Sequence, residues 1–179
     1  MANPAHNNPS NFNSFSEIAS FLWSIADLLR GAYKQADYGK VILPMTVLRR
    51  LDCVLEPTKS KVLAKAAAMK GGKLQNLDPV LNRITGVKFH NVSKFDFEKL
   101  KGDSTHLGPN LLHYIKGFSS DARDIFLERF GFAAQIEKLD RDNLLYLVFQ
   151  RFAEVDLHPD TVPNHMMGQV LGGRLKTGQ

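Results

Sequence analysis

With a single cysteine, Cys53, among 179 residues, the chain can form neither an internal disulfide nor a thiolate cage for a metal. Cys53 lies in the apolar run Val41 to Leu55, so it is expected to act as a small buried hydrophobe rather than a nucleophile. Long apolar stretches are also missing, since nothing approaches the roughly 20 residues that a bilayer-spanning helix needs. Met1 to Asn13 has neither the basic start nor the apolar centre of a signal peptide and reads as a disordered lead-in. The expected location is therefore the cytoplasm, with no membrane partner. Catalytic signatures are absent as well. The histidines (His6, His90, His106, His113, His158 and His165) share no ligand spacing such as H-E-x-x-H, and each reads as a surface or capping residue. No G-x-S-x-G, G-x-x-x-x-G-K-[ST] or G-x-G-x-x-G motif occurs. The glycine cluster Gly168 to Gly173 follows no strand, so it lacks the context of a dinucleotide-binding loop.

What is present is an ordinary globular composition, 44% hydrophobic and 23% charged, with a net charge of +5 that is unevenly placed. Between Thr58 and Lys88 stand Lys59, Lys61, Lys65, Lys70, Lys73, Arg83 and Lys88 against Asp78 alone. That segment carries +6, and the remainder of the chain sums to about −1. Such a block is either a solvated face or an electrostatic footprint for phosphate. Lysine outnumbers arginine in it, which suits general attraction to phosphate better than bidentate reading of bases. Lys59, Lys61, Lys65, Lys70, Lys73 and Arg83 are the candidate DNA-binding residues.

Apolar residues recur at spacings of three and four almost throughout, which predicts a mainly α fold: a compact multi-helix domain. Ser14 and Glu17 have the form of a capping box, and Ile18, Phe21, Leu22, Ile25, Leu28 and Leu29 make the apolar face of the helix that follows, closed by Arg30-Gly31. Val41 to Leu55 predicts a second helix, with Pro44 either in its first turn or kinking it. Thr58 to Lys70 predicts a third, stopped by Gly71-Gly72, and Asp78-Pro79 opens a fourth that Gly86 ends. At most a minor short strand is expected near 87–92. Ser93 to Leu100 reads as helix and Gly102 to Pro109 as a loop. Further helices are expected over Asn110 to Lys116, over Ser120 to Arg129 capped by Ser119, over Ala133 to Leu139, and over Arg141 to Val155 capped by Asp140.

Several of these stretches, taken in order, carry a resemblance. They are Phe21 to Gly31; Tyr38 to Asp52, with its proline and its Leu48-Arg49-Arg50-Leu51-Asp52 ending; Leu111 to Ser119 with Ala122 to Ile125 and Phe130-Gly131-Phe132; Asp140 to Phe152; and Pro163 to Gly168. Together they resemble the N-terminal domain of the modification (methyltransferase) subunit of type I restriction-modification systems, from about Phe15 to Gly168. The resemblance implies a helical domain that precedes a larger α/β domain. That second domain binds S-adenosylmethionine and methylates the exocyclic amine of adenine through an Asn-Pro-Pro-aromatic motif that holds a flipped base. Here the Asn-Pro pairs are Asn3-Pro4 and Asn8-Pro9, each without the second proline and the aromatic. The chain by itself is therefore expected to have no catalytic activity and no cofactor, S-adenosylmethionine being expected for the full-length parent.

The resemblance divides the chain into a lead-in (1–13), a helical DNA-engaging and assembly domain (14–168) and a truncated tail (169–179) where the linker to a methyltransferase domain would begin. It implies as partners duplex DNA, a specificity subunit, a second methyltransferase subunit and, in the complete assembly, the restriction subunit. The competing reading is a stand-alone helical interaction or regulatory fragment. A DNA mimic of that kind should be strongly acidic, and this chain is basic.

Overall fold

The computed structural model describes residues 15–169. Nine α-helices have both ends among these residues: α1 (Phe15–Leu29), α2 (Gly39–Leu55), α3 (Lys59–Met69), α4 (Asp78–Thr85), α5 (Phe97–Lys101), α6 (Leu107–Lys116), α7 (Ser120–Asp124), α8 (Phe132–Arg141) and α9 (Leu145–Ala153). The mainly α fold is as the apolar spacing predicts. No strand occurs among the described residues. Where a short one was expected near 87–92, there is a single bridge between Asn91 and Phe118. The proposed cap Ser14, the lead-in 1–13 and the tail from 170 onward lie outside the described residues.

One core is shared by most helices. Ile18, Leu22, Ile25 and Leu29 of α1 meet Val41, Met45 and Leu48 of α2, Leu111, Tyr114 and Ile115 of α6, and Val148, Phe149 and Phe152 of α9. Aromatic rings knit the centre: Phe97 stacks on Phe149 at 4.5 Å, and Phe21 meets Phe152 edge-on at 5.2 Å. Pro44 lies past the first turn of α2. It lies buried in the helix interior, and α2 runs through it from Gly39 to Leu55.

Several boundaries differ from the sequence reading, each for a local reason. α6 begins at Leu107 within the expected loop, because Pro109 sits in the first turn, where no amide donor is needed. α5 is shorter than Ser93 to Leu100, since Asp96 caps it by accepting the Lys99 N–H at 2.8 Å. Ser119 stands at the N-cap of α7, but its side chain makes no cap hydrogen bond. Its hydroxyl accepts the His90 N–H at 3.2 Å, and its own amide donates to the His90 carbonyl at 3.0 Å. After α7 the chain widens into a π-helical turn, Ile125–Arg129, in which the Phe130 N–H reaches the Ile125 carbonyl five residues back. The helix expected over Arg141 to Val155 starts at Leu145, and Asp140 belongs to the end of α8. Asn143, at φ 58°, closes α8 with the paired bonds Leu144 N–H to Leu139 O and Asn143 N–H to Asp140 O that glycine usually allows. His90 is also not a surface residue. It is buried, with Nδ1 2.8 Å from the Asn82 Oδ1.

Candidate nucleic-acid interface

The basic segment folds as a hairpin of two helices. α3 has no acidic residue, Gly71 turns the chain at φ 78°, and α4 returns to pack on α3. Val62 and Leu81 are the buried residues of the two helices, and neither belongs to the main core cluster. Each helix of the hairpin thus buries one apolar residue outside that cluster. On its outside Lys61, Lys65, Lys70, Lys73 and Arg83 are all exposed, as is Lys88 just beyond. Among the described residues no carboxylate lies within ion-pair distance of those five hairpin side chains. Their charge is therefore available to an outside anion.

Lys59, the first residue of α3, does something different. Its Nζ donates to the Asn91 Oδ1 at 2.9 Å and sits 5.4 Å above the centre of the Tyr114 ring. Burial lowers its pKa to about 8, with Asp52 and Asp96 opposing the shift. The structure thus separates the sequence candidates into five exposed cations and one turned inward at the hairpin's root.

Below that root runs a buried polar chain that the sequence reading did not find. The Tyr114 hydroxyl donates to Asp52 Oδ1 at 2.8 Å, the Phe97 N–H reaches the same oxygen at 3.2 Å, and Arg49 pairs with Asp52 Oδ2 at 2.9 Å. Burial pushes the Asp52 carboxyl up from its ordinary range, while Arg49, the Tyr114 hydroxyl and the Phe97 amide pull it back. Arg49 also donates from Nε to the Val155 carbonyl and from Nη2 to the Ala153 carbonyl. Its neighbour Arg50 donates to the Leu157 and Val162 carbonyls and to Asn164 Oδ1. Two of the stretches singled out in the sequence, Leu48 to Asp52 and Pro163 to Gly168, therefore meet in space. The available signal was the i, i+3 spacing of Arg49 and Asp52, but spacing alone does not show that both are buried.

A cleft of about 330 Å³ lies beside this junction, lined by Arg49, Cys53, Glu56, Asp156, His158, Asp160 and Thr161. Its lining is mostly polar and charged. No group of three or more histidine, cysteine or acidic side chains among the described residues could hold a metal. No described helix is long and apolar enough to cross a membrane.

The profile of one protein family, described as the HsdM N-terminal domain, matches residues 18–152, about three quarters of the chain. The chain belongs to that family. It is thus an HsdM N-terminal domain, the N-terminal domain of the modification subunit of type I restriction-modification systems. The matched span takes in α1 to α9 almost completely and includes the whole basic hairpin and the Arg49–Asp52–Tyr114 chain. Neither a curated protein nor a solved structure matches the chain.

Proposed function

We propose that this HsdM N-terminal domain engages the phosphate backbone of duplex DNA through the α3–α4 hairpin and serves assembly of a type I modification complex. The observation that carries the reading is the set of five exposed cations, Lys61, Lys65, Lys70, Lys73 and Arg83, on one hairpin with no carboxylate paired to them. Flexible lysines act as point charges that attract phosphate without reading sequence, so the contact is nonspecific, and recognition of a site falls to the specificity subunit. The partners in this reading are that subunit, a second modification subunit and the restriction subunit, in the cytoplasm.

Adenine methylation with S-adenosylmethionine is assigned to parts of the modification subunit outside these residues. The support is in the sequence, which has no Asn-Pro-Pro-aromatic motif to hold a flipped adenine. Isothermal titration of the chain with S-adenosylmethionine is expected to show no saturable binding, and micromolar binding would overturn the assignment.

Fluorescence anisotropy with a short duplex of arbitrary sequence tests the DNA reading. Three neutralised phosphates should cost about 1.6 decades of affinity between about 50 mM and about 200 mM salt. The charge reversals Lys61→Glu, Lys65→Glu and Lys70→Glu together should abolish binding at low salt. If that variant binds as well as the parent, the hairpin cations are only a solvated face.

A further inference from the structure

Charge gathers at a second place, assembled from segments the sequence keeps apart. The strip 91–95 runs along the C-terminal end of α6: the Val92 N–H donates to the Gly117 carbonyl at 2.9 Å, and Ser93 Oγ lies 2.9 Å from His113 Nδ1. Phe95 meets the His113 ring edge-on at 5.5 Å, and Lys94 Nζ sits 5.1 Å over the Phe95 ring. The Lys99 ammonium, on α5, donates to the Lys94 carbonyl at 3.3 Å. Lys116 stands one turn beyond His113 on α6. Lys94, Lys99, His113 and Lys116 are all exposed. The carboxylates nearest in sequence are Asp96, which is engaged in capping α5 at the Lys99 amide, and Glu98, which is exposed. No ion pair among the described residues takes up Lys94, Lys99 or Lys116.

This patch adjoins the hairpin. Lys59 at the root of α3 is bonded to Asn91, the residue that opens the strip, and it is close enough to Lys99 to feel its charge. We infer that Lys94, Lys99 and Lys116, grouped around Phe95 and His113, form a second contact for the phosphodiester backbone of duplex DNA, adjoining the one on the hairpin. The inference rests on the DNA reading above and extends it to residues outside the basic segment. The Lys94 ammonium over the Phe95 ring, the Lys99 ammonium at the Lys94 carbonyl and Lys116 one turn from His113 give point-charge attraction without a bidentate fork, which fits a sugar–phosphate backbone. A duplex carries a charge about every 1.7 Å of its axis, so its backbone offers many phosphates near the junction of the two patches at Lys59.

The test compares two variants of the whole chain against the parent with the same short duplex. Removing charge at the new patch, by Lys94→Gln, Lys99→Gln and Lys116→Gln together, should reduce the slope of log affinity against log salt by about 2 to 3. Affinity at about 50 mM salt should fall at least about tenfold. A glutamine variant with the slope and affinity of the parent, beside a Lys61, Lys65 and Lys70 charge-reversal variant that no longer binds, overturns this inference and leaves the hairpin reading standing. A parent that itself fails to bind removes both. A second measurement needs no variant: acetylation of the parent by a lysine-selective reagent, read by mass spectrometry, should slow at Lys94, Lys99 and Lys116 when duplex is added. Unchanged acetylation at all three, with protection at Lys61 and Lys65, also overturns it.

Discussion

Taking a lysine ammonium out of water costs several kcal/mol unless partners replace the lost hydration. Lys59 has two, the Asn91 amide oxygen and the face of Tyr114, yet burial still lowers its pKa from 10.5 to about 8. Between those values the unfolded chain retains a proton on this side chain that the folded chain has released. Folding stability from this group therefore rises with pH across that window. Urea midpoints measured from about pH 8 upward should show that rise in the parent and lack it in Lys59→Met. His90 behaves as the same kind of group at lower pH. Burial lowers its pKa below 6.5, with Asp78, 3.6 Å from Nε2, opposing the shift. On acidification the unfolded chain takes up this proton first, so stability falls as the pH drops through 6.5 and below. His90→Gln should flatten that part of the acid limb, and urea midpoints at about pH 7 and about pH 5 measure it.

Among the elements, the α3–α4 hairpin buries Val62 and Leu81 outside the cluster that unites α1, α2, α6, α8 and α9. Leu81→Ala should therefore act locally. A buried leucine truncation costs about 2 to 5 kcal/mol. Here hydrogen exchange should quicken across residues 59–86 while the amides of α1 and α9 keep their protection. Two glycines of α6 and its end make a second contrast. A Cβ at Gly117 would lie 2.6 Å from Ser93 Cβ and 2.8 Å from Ser93 N, so the backbone would have to move; one at Gly108 would meet chiefly the end of the Asp140 side chain at 2.8 Å. Gly117→Ala should lower the thermal midpoint far more than Gly108→Ala. These positions also show what the sequence could reveal. Apolar recurrence located most of the helices, because each has one face in the core. Gly108 and Pro109 resembled breakers, and only the first-turn position of the proline makes them compatible with α6. Asn143 ended α8 where no glycine marked a stop. The charge of the hairpin was readable as a run of lysines. The inward turn of Lys59 and the grouping of Lys94, Lys99 and Lys116 were not, because both depend on contacts between segments far apart in the chain.

Across the whole molecule, the paired arginines of α2 tie it to the C-terminal part of the described chain, with different consequences. Arg49 is buried and reaches about a hundred residues ahead to the Ala153 and Val155 carbonyls, while neutralising Asp52, which is buried as well. Replacing it leaves an unpaired carboxylate in the core beneath α6, together with two carbonyls that have lost a donor. Arg50 is only half-buried and holds the segment after α9 through the Leu157 and Val162 carbonyls and Asn164, none of them charged. Its loss strands no ion. Arg49→Met should therefore cost about 3 to 5 kcal/mol of folding stability, the range for breaking a buried pair by removing one partner. Arg50→Met should cost about 1 to 3 kcal/mol, as expected for hydrogen bonds from a charged donor at a partly exposed site. Urea denaturation separates the two magnitudes, and hydrogen exchange separates their reach. Arg49→Met should loosen α2, α5 and α6 together, because Asp52 also binds the Phe97 amide and the Tyr114 hydroxyl. Arg50→Met should confine its effect to residues 156–164. Equal losses from both substitutions would mean that the buried Arg49–Asp52 ion pair adds nothing beyond the hydrogen bonds each arginine makes to backbone carbonyls.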